Sequence, residues 1–191
     1  MRGLIEIVPH RPAWPEEFRL LGARLRKTLG ERALAIHHIG STAVPGLDAK
    51  DVVDLQVTLS SLDGLPAAAL AGSGFGEIKL RDDHCPPGRT LPAAELAKLF
   101  ANNDSLCRAA NLHLRVRGRF NQRYPLLCRD YLRAHPHAAA AYAEVKRQLA
   151  RRFPDDAESY YAVKDPVFDI LMEGAEAWAA ATGWSEPPSD A

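Results

Sequence analysis

Gly40-Ser41-Thr42 and, twelve residues beyond Thr42, Asp54 form the first group in the chain whose types and spacing could do chemistry. A strand that ends in Gly-Ser and bends can offer backbone N–H groups and a hydroxyl to phosphate oxygens. A carboxylate on the next strand can hold a divalent cation that bridges those phosphates. Lys50, just before that strand, adds positive charge. Spacing alone is a weak signal and favours a plain turn and a solvated strand carboxylate.

The elements that must position these groups are legible as patterns. Residues 33–39, ALAIHHI, read as a strand running into the loop GSTAVPGL, where Val44-Pro45-Gly46 marks a turn. Residues 51–59, DVVDLQVTL, alternate: Val53, Leu55, Val57 and Leu59 on one face, Asp54, Gln56 and Thr58 on the other. Residues 111–117, NLHLRVR, alternate again and set Asn111, His113, Arg115 and Arg117 against Leu112, Leu114 and Val116. Ahead of them, Phe18, Leu21, Leu25 and Leu29 make one apolar helical stripe ending at Gly30.

Other elements are expected as follows. Residues 4–8 and 75–81 read as strands, 65–72 and 92–101 as helices, and 82–92 as a Pro/Gly-rich loop. A helix is expected over 121–134, another from Pro136, and a last one from Pro166 with Asp165 as N-cap, ending at Gly183. This predicts one domain over residues 1–183, a small mixed sheet with packed helices, and a flexible tail over 184–191.

Lys+Arg and Asp+Glu both number 24, so the formal net charge is zero, which argues against a general nucleic-acid binder. Locally the balance fails. Residues 108–133 hold seven arginines against one acid, and residues 153–191 hold nine acids against Lys164. Either the acidic segment neutralises the basic one, or the arginines line an anion site. Three scattered cysteines, Cys85, Cys107 and Cys128, form no metal or disulfide pattern and suggest reduced thiols. With no apolar run of membrane-spanning length, the expectation is a cytoplasmic protein without a membrane partner.

Histidines 37 and 38 precede the Gly-Ser loop, and alternation sends one to each face; His38 is the better placed for a site there. Ser41 lacks a G-x-S-x-G elbow, and a triad of Ser41, His113 and Asp54 has no support in the spacing. His84 beside Cys85 has no further ligands nearby, so zinc is not expected.

The run HHIGSTAVPGLDAKDVVDLQV, residues 37–57, resembles the signature of the GrpB family, which has a nucleotidyltransferase-like fold. IEIVPHRPAWPEEF, NLHLRV, LLCRDYLRAHP and AYAEVKRQLARRFPDDAESYYAVKDPV are similar to family segments too, in order along nearly the whole chain. The later pieces also resemble a domain fused to dephospho-coenzyme A kinase in some actinobacteria. The resemblance implies an α/β nucleotidyltransferase-like mixed sheet with a helical C-terminal half. In nucleotidyltransferases a Gly-Ser pair holds the triphosphate and a D-x-D or D-x-E strand holds two Mg²⁺ ions. Gly40-Ser41 matches the first element and Asp54 the first carboxylate. Position 56, where the second should be, carries Gln56. A neutral amide is a far weaker ligand for a hard cation, so the match leaves at most a one-metal site at Asp54 and Gln56.

His113 matches the central histidine of the family's HLHV-type strand, as a base, an orienter of Asp54 or a phosphate ligand. Asp82 and Asp83 are outside candidates for a further carboxylate. The resulting expectation is a nucleotide or phosphate cleft. Gly40, Ser41 and Thr42 would touch phosphate, Lys50, Arg115 and Arg117 would neutralise it, and Asp54 and His113 would act on it with Mg²⁺. The alternative is a catalytically degenerate nucleotide-binding or chaperone-like module.

Overall fold

A computed structural model describes residues 4–102 and 108–191. Cys107 lies outside the described residues. The first helix, α1, spans Trp14–Leu29. Its stripe of Trp14, Phe18, Leu21, Leu25 and Leu29 is buried, as the spacing predicts. Glu16 and Glu17 in its first turn, and Arg26 and Lys27 in its last, suit the helix dipole, and Gly30 follows at φ +56°.

Five strands form one mixed sheet: β1 (Ala35–Ile39), β2 (Val53–Leu59), β3 (Lys79–Asp82), β4 (Ala97–Asn102) and β5 (Ala110–Val116). Their order is β1-β2-β5-β4-β3, with only β2 and β5 parallel. The parallel register sets Asp54 opposite Asn111, Gln56 opposite His113 and Thr58 opposite Arg115. All six therefore share one face. Leu55, Val57, Leu112 and Leu114 share the other, where they pack against α1.

Helix α2 (Ala67–Gly72) falls within the Ala-rich stretch. A short α3 (Ala93–Leu96) precedes β4. The polar face of the sheet is covered by α4 (Phe120–Ala134), α5 (Pro136–Arg152) and α6 (Ala157–Thr182), which share their own apolar core with Val44 and Leu47 of the loop between β1 and β2.

Residues 4–8 make only an isolated bridge, Val8 to Ala49, instead of a strand. The strand expected over 75–81 is confined to β3, at the sheet edge. The helix expected over 92–101 stops at Leu96 and continues as β4. Ala, Lys and Leu favour helix locally, yet this segment is paired on both sides by β3 and β5, and that tertiary pairing overrides propensity. The last helix starts nine residues earlier than Pro166, at Ala157, capped by the Asp156 carboxylate on the Ser159 N–H at 3.0 Å. Pro166 lies within it, which puts Tyr161, Lys164, Asp165 and Phe168 on one helical face.

The residues read as a frayed tail lie along the open edge of β1 instead. The Asp190 N–H donates to the Ile36 carbonyl at 2.9 Å, and the Asp190 carboxylate accepts from the His38 N–H at 2.9 Å and from Arg129 at 2.8 Å. None of the described helices is long and apolar enough to cross a membrane.

Candidate functional site

A cavity of about 580 Å³ lies between the polar face of the sheet and the C-terminal helices. The loop after β1 forms one rim. Gly40 there sits at φ +71°, a conformation that favours glycine. A Cβ at this position would lie 2.5 Å from an Asp54 carboxyl oxygen. Glycine is thus required both by the backbone and by the close approach of the carboxylate. Arg129 donates to the His38 carbonyl at 2.9 Å, and Arg133 to the Ala43 carbonyl at 2.8 and 3.0 Å, so two arginines of the basic centre hold this loop from behind. Arg123 pairs with Glu176, as the neutralisation reading expects.

The floor is a closed network. Asn111 Nδ2 donates to Asp54 at 2.7 Å, and His113 Nε2 lies 3.6 Å from the same carboxylate. Lys98 Nζ and Arg115 Nη2 lie 3.3 and 3.2 Å from His113 Nδ1. Both are obligate donors, so Nδ1 is the acceptor and the ring proton sits on Nε2, facing Asp54. Burial and the Arg115 charge push the His113 pKa down to about 4. With its free lone pair facing two cations, His113 is placed to orient Asp54 and not to take a proton as a base. Burial raises the Asp54 carboxyl, and His113, Asn111 and Lys50 outweigh it to hold the group below its ordinary range.

Asp83, an outside candidate in the sequence, is the hub of this floor. Arg115 grips it with two hydrogen bonds, 2.8 and 2.9 Å, and Lys98 pairs with it as well. Burial opposes ionisation of Asp83, and the two cations overcome it and hold its carboxyl well below the usual range. Arg115 is therefore occupied and not a free anion neutraliser. Arg117 lies past the end of β5, exposed and outside the cavity lining. The Thr42 hydroxyl is paired with His38 Nε2 at 3.0 Å, and His38 stacks on Phe18 on the α1 face of the sheet. Of the expected phosphate contacts, Gly40, Ser41 and Lys50 stay open to the cavity through backbone or side chain, while Thr42, Arg115 and Arg117 are committed or outside.

Gln56 does not suit a metal. It is fully buried, its Oε1 accepts from Arg115 Nη1 at 2.7 Å, and its Nε2 donates to the Gln122 carbonyl at 2.9 Å. A guanidinium thus occupies the place where a second cation would need a ligand. Among the described residues no group of three or more His, Cys, Asp or Glu could hold a metal ion. The donor set does not fit a two-Mg²⁺ centre.

The far end of the cavity holds residues that sequence reasoning missed. Lys146 of α5, 3% exposed, donates to Ser41 Oγ at 2.8 Å and to the Asp48 carbonyl at 2.6 Å. Lys50 bonds the Tyr161 hydroxyl, and its ammonium sits 4.6 Å from that ring's centre; Lys164 lies 5.4 Å from the same ring. The signals were faint: Lys164 is the one base in an acidic segment, and Lys146 follows Tyr142 by one helical turn. Phe100, Phe120, Tyr124 and Phe168 complete the walls.

The sequence pattern of the GrpB family, described as GrpB protein, matches residues 4–173. The chain belongs to the GrpB family. A dephospho-CoA kinase of Mycolicibacterium paratuberculosis is 36% identical over 200 residues, covering 96% of this chain and 49% of that protein. The UPF0157 protein YqkA of Bacillus subtilis is 32% identical over 174 residues, 91% of this chain and 48% of YqkA. This GrpB chain therefore spans about half the length of these relatives. The crystal structure of the conserved protein GrpB from Enterococcus faecalis superposes with a TM-score of 0.74 at 25% identity, covering 91% of this chain and 99% of that one. The mixed α/β architecture is thus that of a solved family member.

Proposed function

We propose that this GrpB protein binds a phosphate-bearing small molecule, a nucleotide or a nucleotide-derived cofactor, in the cleft between the sheet and its C-terminal helices, without two-metal nucleotidyl transfer. The observation that carries the reading is the cavity itself. Its volume of about 580 Å³ suits a nucleotide-sized ligand, and it joins the Gly40-Ser41 bend to lysines and aromatic walls. The neutral, fully bonded Gln56 speaks for a binding module over a transferase. The kinship with dephospho-CoA kinases makes adenine nucleotides and coenzyme A precursors the first ligands to try. Fold alone does not choose between binding and catalysis.

Isothermal titration with nucleoside triphosphates and dephospho-coenzyme A, each with Mg²⁺ and with EDTA, tests this. Binding that persists in EDTA supports it. Absence of heat with every ligand at millimolar concentration removes it. A second reading, Mg²⁺-dependent nucleotidyl or phosphoryl transfer, draws on Asp54 lying against the Gly40 bend. Turnover that requires Mg²⁺ and disappears in Asp54→Asn would favour that reading instead.

A further inference from the structure

Lys146 is buried, yet both acceptors of its ammonium, the Ser41 hydroxyl and the Asp48 carbonyl, are uncharged. A buried charge is ordinarily paired. The carboxylate of Asp48 is turned to Arg147, with Nη1 to Oδ2 at 2.5 Å, and Asp165 is bonded to Lys164 at 2.6 Å. Lys50 bonds the Tyr161 hydroxyl, lies over the Tyr160 and Tyr161 rings, and faces the Asp54 carboxylate from the rim. Three ammonium groups from three elements, the loop before β2, α5 and α6, thus line one end of the cavity, where Asp165 is bonded to Lys164, the Asp48 carboxylate to Arg147, and Asp54 faces Lys50 from the floor. Each ammonium carries three N–H donors, so Lys146 keeps one beyond its two bonds.

We propose that Lys50, Lys146 and Lys164 with Ser41 form a metal-independent subsite for a phosphate group carrying two or more negative charges, and that these ammonium groups supply the countercharge a divalent cation would otherwise provide. The inference rests on the binding reading above and adds which end of the cleft takes the anion and what neutralises it. The charges facing Lys146 are Lys164 from α6, Asp48 and Lys50 from the loop before β2, and Arg147 from its own helix, with the Tyr142 ring centre 4.8 Å away. Burial, then the Lys164 charge, pushes the Lys146 pKa down to about 7. An arriving polyanion reverses the second effect and raises the affinity for a proton. Binding therefore takes up a proton, and more of one at pH 8 than at pH 7.

The test is titration of the full chain with inorganic pyrophosphate, ATP and adenosine, all in EDTA, at pH 8 in two buffers of different ionisation enthalpy. The expected result is binding of pyrophosphate and ATP but not of adenosine at the same strength, with heats that reveal proton uptake. Lys146→Met and Lys164→Met should each weaken pyrophosphate by roughly tenfold or more, and Lys146→Met should abolish the uptake. Should Lys146→Met fail to fold, Lys164→Met and the wild-type uptake decide. Equal affinity for adenosine and ATP, or phosphate binding that both variants leave unchanged, overturns the subsite while leaving the binding reading standing. No binding of pyrophosphate or ATP overturns the subsite, and the binding reading falls with it only when dephospho-coenzyme A gives no heat either.

Discussion

The floor of the cleft and its lysine end both gather charged side chains, and they differ in how those charges are paired. On the floor, two carboxylates, Asp54 and Asp83, meet two cations, Lys98 and Arg115, and His113 is neutral between them. At the other end, Asp165 is bonded to Lys164, while Lys146 bonds the Ser41 hydroxyl and the Asp48 carbonyl and Lys50 bonds the Tyr161 hydroxyl. A balanced, fully hydrogen-bonded network is a structural device: each member satisfies another, and little is left for a ligand. An unbalanced buried cluster has unsatisfied charge that a ligand can meet. The end of the cleft at Asp54 and Asp83 is the paired, structural end, and the surplus positive charge lies toward the helices.

The strongest way to break this contrast is Arg115→Met. It leaves Asp83 and the Gln56 carbonyl buried with fewer partners, so the loss of stability should reach about 3–5 kcal/mol, read from urea unfolding. A loss near zero would mean the floor is not the closed network described. The next effect is pH. His38 and His113 are both pushed down to about 4 by burial, from an ordinary 6.5. Between these values the unfolded chain binds protons that the folded chain refuses, so stability falls on acidification from pH 6.5 to 4. Each group contributes up to about 1.4 kcal/mol per pH unit over that window. Urea midpoints at pH 7, 5.5 and 4.5 should show the fall, and His113→Gln should flatten it.

A smaller effect is expected for Gly40→Ala. The positive φ and the Cβ clash with Asp54 should cost about 1–3 kcal/mol of stability. The same change should also weaken ligand binding, because the bend and Asp54 must separate. The smallest is Arg117→Ala. This exposed residue outside the cavity should alter stability by no more than about 0.5 kcal/mol and leave pyrophosphate affinity unchanged. A clear loss of affinity there would bring the basic strand end back into the site.

Much of the frame was readable in the residues. Two-residue alternation placed Asp54, Gln56, His113 and Arg115 on polar strand faces, because strand geometry leaves no other choice once the apolar set is buried. The α1 stripe followed in the same way. Residues 92–101 misled, since Ala and Leu favour helix and nothing local announces that β5 and β3 will pair on either side. That one miss hid Lys98 and Phe100 from the floor. Similarly, an N-cap expected at Asp165 broke up the face that carries Tyr161 and Lys164, while Asp156 begins the helix earlier.

By itself the sequence determined the residue types, the alternating strands, the Gly-Ser bend and the departure at Gln56, and so which family the chain resembles. Only the tertiary structure decided which charges are free. Pairing depends on which side chains meet across the sheet and between distant helices: Asp83 with Arg115, Lys146 with Ser41, Asp190 with Arg129. These partners lie 32 to 105 residues apart, a separation over which no local pattern carries information.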